Sequence, residues 1–309
     1  MAGIRILGCG YSYGDRIVTN DDMAKIVDTS DAWIRRKTGI RQRYIAENKS
    51  NLDMAQEASL SAMKCAGVTA EEIDLIVVCT FTQDDPTPSM ACKLAGKLGA
   101  GNDILTLDIN SACSGFIYGC ITANALLAGG SFRKALIIGA EKLSSRADMT
   151  DRRTCVLFGD GAGAIVCEYS EDGFFESNFG CMPDDTILGC GGDKGAIYMN
   201  GPEVYRFAVS KIPQSINELV EKTKVGPDEI DHVICHQANM RIIDSVAEKV
   251  VFPAEKFYKN IQNTGNTSAA SIAICLGEMC EKGLLTPGRK ILCSGFGGGL
   301  TWGSMIIKV

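Results

Sequence analysis

The chain has 309 residues, 37 acidic against 31 basic side chains and a net charge of −6; 46% of it is hydrophobic and 22% charged. Such a composition excludes a disordered chain and supports a large core, at about twice the length of one typical domain. The acidic balance argues against a general nucleic-acid binder, which needs a basic face, and no apolar run approaches the roughly 18 residues of a membrane span.

In chain order, an amphipathic helix is predicted over Leu52–Ala66, stopped by Gly67, followed by a buried β-branched strand over Ile73–Cys79. A helix over Ser89–Leu98 ends at Gly99, a strand covers Ile104–Ile109, and a helix over Ser114–Ala128 ends at Gly129-Gly130. Strands follow at Ala135–Gly139 and Ala164–Val166. Gly173 to Gly195 is glycine-rich and the least periodic stretch, and reads as a surface excursion. The second part offers helices over Glu203–Thr223, Met240–Val250 and Ser268–Lys282, with strands at Val233–Cys235 and Ile291–Cys293. Alternation of this kind implies mixed or parallel sheets with helices packed on them.

Two segments recur at nearly one spacing. Val68-Thr-Ala-Glu-Glu-Ile-Asp-Leu-Ile-Val77 resembles Val225-Gly-Pro-Asp-Glu-Ile-Asp-His-Val-Ile234, 157 residues later. Arg133-Lys-Ala-Leu136 resembles Arg289-Lys-Ile-Leu292, 156 residues later. The expectation is a duplicated chain, with a first half over 1–170 and a second over 171–309.

Fourteen cysteines accompany only two histidines, His232 and His236. Met1 to Gly14 shows no basic segment leading into a long apolar one, so no secretory leader is expected, and free thiols fit a reducing, cytoplasmic setting. No Cys-x-x-Cys occurs, so no metal site is expected. Most of the cysteines read as small core residues.

Three constellations could carry chemistry. Asn110-Ser-Ala-Cys113-Ser-Gly-Phe116 puts a thiol at a strand-to-helix turn among small neighbours. The positive helix end there is expected to lower the thiol pKa; the alternative is one more buried small residue. Cys235-His236-Gln-Ala-Asn239 sets His236 at the carboxyl end of a strand, where open α/β sheets hold ligands; a lone histidine is also often structural. Asn263-Thr-Gly-Asn266-Thr-Ser-Ala-Ala-Ser271 opens a helix, and the 156-residue offset sets Ala269 opposite Cys113. An ordinary helix cap would look the same. Phe158-Gly-Asp-Gly-Ala-Gly163 lacks the helix and acidic residue of a dinucleotide loop, so close backbone packing is expected. Gly295-Phe-Gly-Gly-Gly299 could donate backbone N–H groups to an oxyanion or simply cross between two strands.

Taken together and in order, Ala112-Cys113-Ser-Gly-Phe116, His236-Gln-Ala-Asn239, Gly265-Asn266-Thr-Ser-Ala-Ala-Ser271 and Phe296-Gly-Gly-Gly-Leu-Thr-Trp-Gly303 resemble β-ketoacyl-[acyl carrier protein] synthase III, over essentially the whole chain. Asp28-Thr-Ser-Asp-Ala-Trp33, Lys37-Thr-Gly-Ile-Arg41 and Thr150-Asp-Arg152 add to the likeness. The resemblance implies a thiolase-like five-layered αβαβα fold from two similar halves, and a homodimer. It implies a decarboxylative condensation of an acyl-CoA with malonyl-[acyl carrier protein], initiating type II fatty acid synthesis without a cofactor.

The roles it implies are specific. Cys113 is the nucleophile, His236 and Asn266 stabilise the enolate, and the backbone N–H groups of Cys113 and Gly298 serve the oxyanion. Trp33 and Arg152 hold the adenine of CoA, with Lys37 near its phosphate; Ala238 and Asn239 line the pantetheine tunnel and Phe296 the cavity. Arg206, Arg241 and Lys249 dock an acidic carrier protein, although Arg206 and Lys249 also fit a solvated helix face. Three positions depart from the family pattern. Lys37 replaces an arginine, Pro202 stands where asparagine is usual, and Thr87 falls where a bulky aromatic closes the acyl pocket across the dimer. The small Thr87 suggests primers longer or more branched than acetyl. A Cys-His-Asn hydrolase and a non-catalytic acyl-CoA binder are the competing readings, separated by malonyl dependence and by acylation.

Overall fold

The computed structural model describes residues 2–191 and 195–309. Its strands are β1 (Gly3–Tyr13), β2 (Arg16–Thr19), β3 (Gln42–Ile45), β4 (Leu75–Cys79), β5 (Leu105–Ile109), β6 (Lys134–Glu141), β7 (Gly161–Ser170), β8 (Phe175–Asp184), β9 (Leu188–Gly191), β10 (Ala196–Met199), β11 (His232–Cys235), β12 (Lys290–Gly297) and β13 (Gly299–Lys308). Its helices are α1 (Asn20–Ala24), α2 (Asp31–Thr38), α3 (Asn51–Ala66), α4 (Met90–Leu98), α5 (Gly115–Ala128), α6 (Gly201–Thr223), α7 (Met240–Ala247), α8 (Ile261–Thr264) and α9 (Ala270–Glu281).

The strand order β5-β4-β6-β7-β1 is parallel through β6 and antiparallel after it. The later strands repeat that pattern. β11 and β12 pair parallel, β12 with β13 and β13 with β8 antiparallel, and Phe257 takes the β5 place in a parallel bridge to Val233. β1 and β13 join the two arrays at Arg5 and Lys308.

Alternation along the strands decides which layer each side chain enters. In β4, Leu75, Val77 and Cys79 face the central layer, while Ile76 and Val78 pack outward beneath α3 and α4. In β11 and β12, Ile234, Ile291 and Cys293 face the centre, while Val233, Cys235 and Leu292 pack outward under α6 and α7. α5 and α9 fill the central layer and touch each other and both arrays, so the order is αβαβα. α5 is apolar around most of its circumference, as a helix covered on both sides must be.

Gly67 and Gly99 close α3 and α4 in the left-handed region, as their positions predict. Two helices are shorter than the periodicity suggests by more than one residue. α9 starts at Ala270 because Ser268 has φ 49°, outside helical space. α7 stops at Ala247 rather than Val250. Gly173 to Gly195 is not a surface excursion: its first part is β8, bonded to β13 along most of its length, and β9 pairs with β10 in a ribbon. Residues 192–194 of that stretch lie outside the described residues. The Gly159–Gly163 segment packs backbone to backbone, as expected. A Cβ on Gly163 would sit 2.3 Å from the Ala273 carbonyl carbon, so only glycine lets β7 meet α9.

Candidate functional site

Cys113 follows β5 on a tight turn, Ala112–Ser114, directly ahead of α5. Ala112 is left-handed at φ 45°, a conformation most L-residues avoid, and its N–H donates to Asn110 Oδ1 at 3.2 Å. Ser114 Oγ pins the turn to Thr301 Oγ1 of β13 at 2.7 Å. The second array carries the same device: Ser268, at φ 49°, precedes Ala269 as Ala112 precedes Cys113. The two turns abut, with a Cβ on Gly115 falling 3.4 Å from Ala269 Cβ. The crossover glycines of β12 and β13 lie against the thiol turn, where a Cβ on Gly297 would be 2.6 Å from Cys113 N.

His236 is the residue after β11, and its N–H continues the ladder to Ser294 O at 2.8 Å. Its Nδ1 lies 2.7 Å from Ser271 Oγ, and its ring meets Phe296 edge to face at 5.6 Å. Ser271 Oγ also accepts from Gln237 N at 3.4 Å; when the Ser271 hydroxyl donates to Nδ1, the imidazole hydrogen sits on Nε2. Burial lowers the His236 pKa to about 3, so the ring is neutral. Gln237 clamps the neighbouring loop: Nε2 donates to Cys235 O at 2.7 Å and Oε1 accepts from Asn260 N at 3.1 Å.

That loop delivers Asn266. Gly265 turns it at φ 66° where a Cβ would lie 2.9 Å from Leu157 O. The backbone of Asn266 bonds Leu157 O and Gly159 N at 2.8 and 3.0 Å. Asn266 Oδ1 accepts from Ser268 N at 2.8 Å, which turns the side-chain NH₂ toward open space.

Cys113, His236 and Asn266 all line one cavity of about 1290 Å³. Ala238, Asn239, Phe296 and Gly298 line it too, as do Trp33, Lys37, Arg206 and Arg241. Asn239 caps α7 and also donates from Nδ2 to Lys37 O at 3.1 Å, tying α7 to α2. Arg152 stacks over Trp33 at 5.2 Å and bonds Asp28 O at 2.7 Å, so a third ring between the two requires them to part. Arg241 lies over Tyr205 at 5.5 Å, and Arg206 is ion-paired with Glu203. Lys249 is off this rim and donates to Val209 O at 2.8 Å. Thr87 is exposed and does not line the cavity of its own chain.

Two features escaped sequence reasoning. β9 and β10 wall the cavity through Leu188, Ile197 and Met199. Beneath Cys113, Glu141 is wholly buried at the end of an apolar strand. An acid closing such a run was the available signal. Glu141 accepts from Thr82 Oγ1, Phe81 N, Thr80 Oγ1 and Ser268 Oγ, yet burial outweighs those bonds and raises its pKa to about 8. The electrostatic expectation for the thiol is also reversed. Burial pushes Cys113 up to about 12, aided by Glu141 and opposed by the hydrogen bond with Ser268.

Glu141 has a measurable consequence. Its folded pKa lies above the unfolded value, so the folded chain holds the extra proton between about pH 4.5 and 8, and stability falls as pH rises. His236 acts the other way below about pH 6.5. Between pH 6.5 and 8, Glu141→Gln is expected to gain on the wild type by up to roughly 1.4 kcal/mol per pH unit. Denaturant melts at half-unit pH steps check this, and parallel curves would remove the raised carboxyl.

Comparison with known proteins identifies the family. Residues 107–183 match the model described as 3-Oxoacyl-[acyl-carrier-protein (ACP)] synthase III, and residues 220–309 match its C-terminal counterpart. The chain is 43% identical to a β-ketoacyl-[acyl-carrier-protein] synthase III of Clostridium acetobutylicum, with 100% of this chain and 99% of that one covered. A chloroplastic synthase III of Arabidopsis thaliana is 41% identical over 99% of this chain and 83% of that protein. The crystal structure of the 3-oxoacyl-[acyl-carrier-protein] synthase III of Aquifex aeolicus superposes with a TM-score of 0.96 at 42% identity, covering 99% and 100% of the two chains. With that identity along its whole length and the thiolase-like fold, the chain belongs to the β-ketoacyl-[acyl-carrier-protein] synthase III family: it is an acyltransferase, a condensing enzyme of fatty acid synthesis.

Proposed function

We propose that the chain condenses an acyl-CoA primer with malonyl-[acyl carrier protein] through an acyl-Cys113 intermediate. The observation that carries this is the opening of Cys113, His236 and Asn266 on one large cavity with a basic rim. The Cys113 sulfur attacks the thioester carbonyl, the bond to the CoA sulfur breaks, and the thiol proton leaves with CoA. Malonyl-carrier then enters and loses carbon dioxide. The enolate oxygen takes hydrogen bonds from His236 Nε2–H and Asn266 Nδ2, both uncharged donors at working pH. The enolate carbon attacks the acyl-Cys carbonyl, and the backbone N–H groups of Cys113 and Gly298 hold that oxyanion until the C–S bond breaks and Cys113 leaves as a thiolate, which takes up a proton from solvent.

The neutral resting thiol suits this order of events, because it is spared side reactions until substrate arrives. Trp33, Arg152 and Lys37 hold the nucleotide end of CoA, and Ala238 and Asn239 line the arm. Arg206 and Arg241 meet the acidic carrier, with Lys249 further along the same face. No cofactor takes part. We read the chain as two halves, 1–170 and 171–309, working as a cytoplasmic homodimer. The thiol turn of one half and the Asn266 loop of the other meet in that arrangement.

The test is product formation: CoA, carbon dioxide and β-ketoacyl-carrier are expected only with both substrates. Free acid formed without malonyl-carrier supports a hydrolase instead. A primer panel tests Thr87, with butyryl- to octanoyl-CoA expected to outpace acetyl-CoA; equal or faster use of acetyl-CoA removes that inference. Ser271→Ala tests the tautomer. Losing the Nδ1 partner costs about 1–3 kcal/mol, roughly a fivefold to 150-fold fall in malonyl decarboxylation. Acylation of Cys113 is expected to stay near wild type, and an equal fall in both steps contradicts the assignment.

A further inference from the structure

Three of the fourteen cysteines converge at a site away from the cavity: Cys9 on β1, Cys65 near the end of α3 and Cys280 near the end of α9. Cys65 Sγ and Cys280 Sγ are 3.1 Å apart, and Cys9 also hydrogen-bonds the Cys280 thiol. Glycines bring the elements together. A Cβ on Gly8 would lie 2.4 Å from Ala66 N, one on Gly10 2.4 Å from Ala62 N, and one on Gly277 2.9 Å from the Gly10 carbonyl carbon. α3 and α9 therefore press onto β1 from two sides. β1 pairs with β13 at Arg5 and Lys308. Cys65 is exposed and Cys280 half-buried, within reach of small solutes, while Cys9 is buried.

We infer that Cys280 and Cys65 are a reversible redox pair, in which a hydroperoxide oxidises Cys280 and Cys65 closes the disulfide. The Cys280 sulfur attacks one peroxide oxygen, the O–O bond breaks, and an alcohol or water leaves with a proton. The Cys65 sulfur then attacks the resulting sulfenic acid. The S–S bond forms, the S–O bond breaks, and the Cys65 thiol proton leaves in a second water. Two thiols and one hydroperoxide give one disulfide, one alcohol or water, and one water.

Thiol chemistry favours this order. Hydrogen bonds from Cys9 and Cys65 hold the Cys280 thiol well below the ordinary range, whereas burial holds Cys113 near 12. Thiolates react with peroxide and neutral thiols do so slowly, so Cys280 precedes the cavity thiol. A disulfide bond is about 2 Å long, so closure asks for roughly 1 Å of side-chain rotation. This site does not depend on the condensation reading, and its test uses no acyl substrate.

The experiment is native treatment of the full chain with one equivalent of hydrogen peroxide, followed by alkylation, intact mass and peptide mapping. Expected is a species lighter by two hydrogens, a 65–280 cross-link, full reversal by dithiothreitol, and Cys113 still reduced. In Cys65→Ser the disulfide is lost and dimedone traps a sulfenic acid at Cys280. In Cys280→Ser both are lost, with thermal melting confirming that each variant is folded. Oxidation of Cys113 first, a 9–280 cross-link, or no reaction at a dose that oxidises the urea-unfolded chain would overturn the pair.

Discussion

Cys113→Ala is expected to lower condensation by at least about 10⁴-fold, because removing a covalent nucleophile leaves only binding and oxyanion donors. The variant should fold. Ala269 already stands at the matching position of the second turn, behind a left-handed Ser268 that mirrors Ala112. The substitution therefore makes one turn like its counterpart and removes only the sulfur. Malonyl-carrier decarboxylation should persist, since His236 and Asn266 are untouched. Loss of decarboxylation as well, in a variant that melts like the wild type, would mean that Cys113 does more than carry the acyl group.

Asn266→Asp is the complementary case. The aspartate keeps an acceptor for Ser268 N but has no N–H to donate, and it sets a negative charge where an enolate must form. Loss of one such donor costs about 2.7–4 kcal/mol, or 10²- to 10³-fold in the decarboxylation step. Acyl transfer to Cys113 should stay within a few fold. His236→Ala is expected to behave alike, from the other donor. Stopped measurements of acyl-enzyme formation and of carbon dioxide release separate the two steps. An equal effect on both would move Asn266 from the enolate to the structure of the loop.

Much of this site was legible because its parts sit at ends of regular elements. The β-branched runs of β4 and β11 give their strands and so the positions of Cys79 and His236. The small residues around Cys113 mark a crowded turn, and the resemblance between 68–77 and 225–234 exposes the repeat. What stayed hidden depends on contacts distant in sequence. β8 has no clean alternation, because it is an edge strand bonded only to β13 for most of its length and partly exposed. The Cys65–Cys280 contact spans 215 residues and rests on glycines of a third element. The thiol pKa departs from the sequence expectation for a physical reason. The helix end is a local feature visible in sequence, whereas burial is a property of the closed fold, and burial is the largest cause of the upward shift at Cys113.

One measurement bears on the central claim most directly: intact mass of the protein after brief exposure to an acyl-CoA, before and after addition of malonyl-carrier protein. A single acyl adduct mapped to Cys113 is predicted, stable in buffer and discharged into β-ketoacyl-carrier when malonyl-carrier arrives. An adduct elsewhere, or one that water discharges at the same rate with or without malonyl-carrier, would contradict it.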